Sequence, residues 1–152
     1  MNIENKPTAG GISCGKELSM AKRAKKIYAK VKSDKGFYVG DICYVLNDDI
    51  YFGVWRDKYQ FEDGQCYTDD GNSFGVASTA YGDGCYVGSD NVCYGVDAGV
   101  LGIVPLELVK NVEYAKEMGR VVESAGEAVM AAKDGLFYFE LPGYTEIFIE
   151  TA

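Results

Sequence analysis

Three aspartates stand in short glycine-flanked segments: Asp41 in Val39-Gly40-Asp41-Ile42, Asp83 in Tyr81-Gly82-Asp83-Gly84, and Asp97 in Gly95-Val96-Asp97-Ala98-Gly99. Glycine beside an acid lets the backbone turn sharply and present the carboxylate. Brought together, such carboxylates would bind Mg²⁺ or Ca²⁺, or divide the work of an acid and a base. Kept apart, each would accept backbone N–H bonds and hold its own turn. Aromatics crowd the same stretch: Tyr38, Tyr44, Tyr51, Trp55, Tyr67, Tyr81, Tyr86 and Tyr94. Tyrosine in a strand packs its ring and keeps its hydroxyl wet, and tyrosine-rich faces also make binding surfaces. The candidate binding set is therefore Asp41, Tyr44, Trp55, Tyr81, Asp83, Tyr86, Tyr94 and Asp97, with no catalytic residue assigned and no metal or cofactor expected.

Other chemistry is narrowed by what the chain lacks. It has no histidine, which removes Ser-His-Asp and Cys-His catalysis and His-ligated zinc. Gly11-Ile12-Ser13-Cys14-Gly15 matches G-x-S-x-G but has no histidine base to serve it. Gly10 to Lys16 matches G-x-x-x-x-G-K, yet Glu17 follows where a phosphate-binding loop needs Ser or Thr for magnesium. Asp69-Asp70-Gly71-Asn72 lacks the ordered ligand spacing of a calcium hand. The five cysteines, Cys14, Cys43, Cys66, Cys85 and Cys93, have no C-x-x-C spacing and no secretion signal before them. That pattern predicts reduced thiols and a cytoplasmic setting.

Charge is distributed unevenly over the 152 residues and their net −8. Residues 16–35 hold eight basic and two acidic side chains, a local +6, whereas residues 36–152 hold six basic and twenty acidic ones, a local −14. An acidic body repels a nucleic-acid backbone and suits a basic partner, or simply keeps the protein soluble.

The elements that must position these residues read as mostly β. Residues 1–15 are small and polar, a flexible leader. Over 16–35, Met20, Ala24, Ile27 and Val31 recur at steps of three and four among lysines, predicting a basic amphipathic helix that folds back on the acidic body or a neighbouring subunit. From Gly36 onward, β-branched and aromatic runs alternate with turn residues: 36–46, 50–56, 65–68, 74–82, 85–89, 91–99, 100–109, 119–124, 136–141 and 145–151. Asp83-Gly84 signals a hairpin, Pro105 a strand end or edge, and 107–118 a short helix. Residues 127–133 suit helix or strand. The expectation is one acidic domain over 36–152, an antiparallel β-sandwich, roll or barrel within an α+β class. Gly36–Tyr44 and Gly84–Tyr94 also resemble each other, as two equivalent hairpins of one sheet would.

Three phrases resemble a group of small bacterial and phage proteins that carry "GD-P-CYV", "GDG-x-Y" and "VD-[AS]-G" segments. They are Gly40-Asp41-Ile42-Cys43-Tyr44-Val45, Gly82-Asp83-Gly84-Cys85-Tyr86 and Val96-Asp97-Ala98-Gly99. Ile42 stands where the pattern has proline, and VDAG follows GDG here. The resemblance spans about residues 36–109 and implies a small β-rich domain with no catalytic residues to carry over. The lack of histidine, the acidic body and the absence of a complete catalytic motif frame the expected function as a non-enzymatic binding protein. In one form it inhibits a host defence protein through that protein's basic surface; in another it traps a small nucleotide. The alternatives are an aspartate-cluster, metal-dependent phosphoester hydrolase and a structural or virion accessory protein. No direct DNA binding and no membrane span are expected, and a homo-oligomer is allowed.

Overall fold

The structure, a computed structural model, describes residues 26–152. Residues 1–25 lie outside that range, and with them the expected leader, most of the expected helix, both glycine-rich strings and Cys14.

Alternation at a period of two builds the first sheet. In β1 (Lys26–Ser33), Ala29, Val31 and Ser33 point inward and Lys30 and Lys32 outward. This strand pairs antiparallel with β9 (Gly126–Lys133), which in turn pairs with β10 (Leu136–Leu141), and β10 with β11 (Thr145–Glu150). The second sheet has the order β3 (Gly64–Tyr67), β4 (Ser73–Ser78), β7 (Val100–Pro105), β2 (Phe37–Gly40), β8 (Arg120–Val122). A two-stranded sheet joins β5 (Gly84–Val87) to β6 (Cys93–Val96). Every pairing is antiparallel, and the sheets remain open rather than closing into a barrel.

The four- and five-stranded sheets pack face to face around Val31, Phe37, Val39, Leu101, Ile103, Met130, Phe137 and Ile149. At Gly75 the layers nearly touch: a Cβ there would stand 2.5 Å from the Ala29 Cβ and 3.2 Å from the Met130 Sδ. Only glycine allows that approach. The other face of the five-stranded sheet is buried too. Tyr38, Phe74, Val76 and Val104 meet Ile42, Val45, Leu46 and Trp55 from the 42–55 segment, and Ala115 from the helix Val112–Met118. Burial on both sides explains why β2, β4 and β7 read as near-continuous apolar runs.

Several expectations are corrected. The described part of the expected basic helix is β1, because Ala29-Lys30-Val31-Lys32-Ser33 alternates at two and finds a partner in β9. A register shift between Ile27 and Ala29 leaves Ile27 outside. The run 50–56 is not a strand: Asn47 caps a helical turn at Asp48–Ile50 through the Ile50 amide (3.0 Å), which continues into a π-helical turn, Tyr51–Arg56. The strand expected over 36–46 stops at Gly40, and Ile42–Tyr44 coils into a 3₁₀ turn. Asp83-Gly84 closes no hairpin, since β4 pairs with β3 and β7 and β5 with β6. The two similar segments fall in different sheets, so they are not equivalent hairpins. The expectation of reduced thiols also fails at one pair, because Cys85 and Cys93 are joined in a disulfide across β5 and β6, with a Cα–Cα separation of 6.0 Å. Pro105 ends β7, which runs inside the sheet rather than along its edge. The short helix expected at 107–118 forms over Val112–Met118, and 127–133 is strand.

Candidate functional site

Asp41 is fully buried where β2 ends. One carboxylate oxygen accepts the Cys43 amide at 2.9 Å. The other accepts the amides of Asp97 and Ala98, at 2.8 and 2.7 Å. A buried carboxylate needs such donors, and three charge-assisted bonds supply them. Asp41 thus holds its own 3₁₀ turn and also fixes the 97–98 backbone, some fifty residues away in sequence. The Asp97 side chain turns aside to accept the Tyr44 hydroxyl at 2.6 Å. Asp83 is exposed beside the same corner: a Cβ built on Gly99 would lie 4.0 Å from its Oδ1. The three turns therefore gather at one corner, yet among the described residues no group of three or more His, Cys, Asp or Glu is arranged to hold a metal ion.

The thiol nearest this corner is not an activated nucleophile. Burial, and then the Asp41 charge, push the Cys43 thiol far above its ordinary range. Burial alone pushes Cys66 up to about 12. The thiolate is the reactive form, so both cysteines are held in their inert state near neutral pH.

Next to the Asp41 corner lies a pocket of about 350 Å³. One wall is aromatic, made by Tyr51, Trp55 and Phe61; the other is Ser78 with Ala98, Gly99 and Val100. The aromatic wall is built by unusual backbone. The Asp57 and Tyr59 amides bond five residues back, to Phe52 and Val54 (3.0 and 3.2 Å), and the Phe61 amide reaches the Trp55 carbonyl at 2.9 Å. Gln60 and Phe61 both adopt positive φ, +52° and +60°. Single-turn π-helices and left-handed non-glycine residues cost energy and gather at functional sites. The rings interlock edge to face, Tyr51 on Trp55 at 5.3 Å and Trp55 on Phe61 at 4.8 Å between centroids. Trp55 is buried and its indole N–H donates to the Glu62 carbonyl at 3.0 Å, while Phe61 stays 44% exposed.

The opposite wall is equally constrained. Asp41 holds Ala98 by its amide, and the Thr79 amide donates to the Gly99 carbonyl at 3.0 Å. Gly99 turns with φ +75°, a conformation that favours glycine. Asp63 accepts both the amide and the hydroxyl of Ser78, at 3.0 and 2.9 Å. Two exposed carboxylates thus adjoin residues that line the pocket, Asp63 at Ser78 and Asp83 near Gly99.

Comparison with protein-family profiles, with curated protein sequences and with solved structures finds no match. The reading of the site therefore rests on its own geometry.

The expected site residues divide into three groups. Trp55 lines the pocket, Asp41 positions its wall, and Asp83, Asp97 and Tyr44 border the same corner. Tyr94 is buried in the core, its hydroxyl donating to Asp90 at 2.6 Å, with Asp90 also ion-paired to Arg120 at 2.8 Å. Tyr86 donates to the Gly82 carbonyl at 2.9 Å, and Tyr81 stands 78% exposed. The sequence marks Tyr51 only as one aromatic among several and does not mark Phe61, Asp63 or Ser78. The available signal was the spacing Tyr51, Trp55, which places two rings on one side of a helical turn. Their β-branched and aromatic neighbours read as strand instead.

Proposed function

We propose that this protein is a non-enzymatic binding protein whose acidic body engages a basic surface on a protein partner. The observation that carries this reading is the fate of its carboxylates. Among the described residues the one fully buried acid, Asp41, has both oxygens engaged by backbone amides and serves the fold. Sixteen of the twenty acidic residues in 36–152 are exposed, while four of the six basic ones, Arg56, Lys58, Lys116 and Arg120, already pair with carboxylates of the chain itself. With the exposed Lys26, Lys30, Lys32 and Lys35 of β1 and the turn after it included, residues 26–152 hold ten basic and twenty-one acidic side chains, a net −11, and so present a negative surface that attracts cations and repels phosphates. That favours a basic protein surface over a nucleotide as the ligand, since Asp63 and Asp83 adjoin residues that line the aromatic pocket. It also favours binding over phosphoester hydrolysis, because Asp41 is sealed from solvent with both oxygens accepting backbone amides. In the form that the acidic charge suggests, the partner is a host defence protein whose basic groove accepts nucleic acid, and the acidic body occupies that groove.

The test is affinity capture on immobilised full-length protein, with elution in rising salt. A basic partner that elutes between about 0.1 M and about 0.5 M salt supports the reading, because exposed charge pairs are screened over that range. A complex indifferent to salt, or Mg²⁺-dependent turnover of a phosphoester, overturns it.

A further inference from the structure

The pocket beside the Asp41 corner has features that surface charge alone does not require. Two left-handed residues and a π-helical turn hold three rings in one wall. Strain kept in this way points to a constrained use of the wall. The facing wall is pinned by hydrogen bonds that Asp41 and Asp63 accept and that the Thr79 amide donates. Aromatic rings offer a negative face, and the two adjoining acids add full negative charge. An open pocket with one wall of rings and carboxylates near its rim complements a group that is apolar along its stem and cationic at its tip.

We infer that the Tyr51–Trp55–Phe61 pocket is an anchor site for one basic side chain, lysine or arginine, projecting from the partner protein. This rests on the binding reading above and specifies its contact point. The alkyl stem would lie against Tyr51 and Phe61, which cover the buried Trp55, and the charged tip would sit near Asp63 and Asp83. Interfaces concentrate affinity in a few such anchored contacts.

Trp55 is the only tryptophan in the chain, so its emission reports on the pocket directly. The full-length protein is titrated with a fluorescein-labelled Lys-Gly octapeptide. Anisotropy follows total binding while Trp55 emission follows the pocket. A norleucine-Gly octapeptide of similar shape and ATP serve as neutral and anionic probes. The expected result is a saturable change in Trp55 emission with the lysine peptide only, weakened roughly tenfold in Phe61→Leu, which keeps apolar bulk but removes the ring. Asp63→Asn is expected to weaken it as well, most at low salt. Circular dichroism confirms that the variants are folded, and Phe61→Tyr, which retains a ring, should restore binding if a ring face is what matters. If the lysine peptide binds by anisotropy but Trp55 stays silent and Phe61→Leu changes nothing, the anchor site is overturned while the acidic-body reading stands. If no cationic peptide binds at all, both fall. Equal binding of the norleucine peptide, or tighter binding of ATP, overturns the assignment of a cationic occupant. A cross-link from Lys22 or Lys25 to Asp63 overturns it in favour of the chain's own basic segment.

Discussion

The Asp41 corner and the aromatic pocket share a wall yet use their carboxylates in opposite ways. At the corner, Asp41 is sealed from water and spends both oxygens on three amides. At the pocket, Asp63 holds Ser78 by its amide and hydroxyl yet stays exposed to solvent, as does Asp83. A buried acid next to glycine can be a structural clasp, and an exposed acid beside pinned backbone can be a recognition element. Residue type and spacing alone do not separate the two; burial and donor count do.

The sharpest way to break this contrast is Asp41→Ala. It leaves the Cys43, Asp97 and Ala98 amides without their acceptor and should cost about 3–5 kcal/mol, read by urea denaturation. A loss below about 1 kcal/mol would show that Asp41 is not the clasp. A smaller effect is expected where the disulfide closes the strand pair leading into Asp97. Reducing Cys85–Cys93, eight residues apart, should cost about 2–3 kcal/mol, and a Cys85→Ser, Cys93→Ser variant should no longer respond to reductant.

Alkaline pH probes the sealed side again. Burial raises the pKa of the Tyr38 and Tyr94 hydroxyls well above the ordinary 10.0, with the Asp41 charge the next cause for Tyr38 and the Asp90 hydrogen bond for Tyr94. A folded value above the unfolded one gives stability that is complete below pH 10 and lost as pH rises above it. Each tyrosine should remove about 1.4 kcal/mol per pH unit there. Tyr94→Phe should flatten this slope in denaturation measured from pH 9 to pH 11; an unchanged slope would place the ring elsewhere. The smallest change is expected at the open side. Phe61→Ala should cost only about 1 kcal/mol, because its ring is 44% exposed, against about 3–5 kcal/mol for the buried Phe74→Ala, both read from thermal unfolding. Equal losses would mean that Phe61 is core rather than wall.

Much of the sheet structure was legible. The segments at β4, β7, β10 and β11 carry β-branched and aromatic residues at strand lengths, and Pro105 marks the end of β7. What misled was local ambiguity. Ile27 and Val31 fit a helical spacing as well as a strand, and β9 decided between them. Tyr51-Phe52-Gly53-Val54-Trp55 has strand composition, yet packing of Tyr51 and Trp55 beneath the second sheet favoured a wide helical turn. Of the candidate site, the sequence pointed to Asp41, Asp83, Asp97 and Trp55, which lie at or beside one corner. It gave no way to separate Tyr94, a core residue, from Tyr81, an exposed one.

By itself the sequence determined a β-rich acidic domain without histidine chemistry, because composition and period-two patterning act locally and add up along the chain. Which aspartate is buried, which cysteines pair and which rings form a wall were decided only in three dimensions. Those outcomes depend on contacts between residues such as Asp41 and Ala98, or Trp55 and Phe61, whose approach is set by strand order and layer packing. Neither is encoded in any one segment.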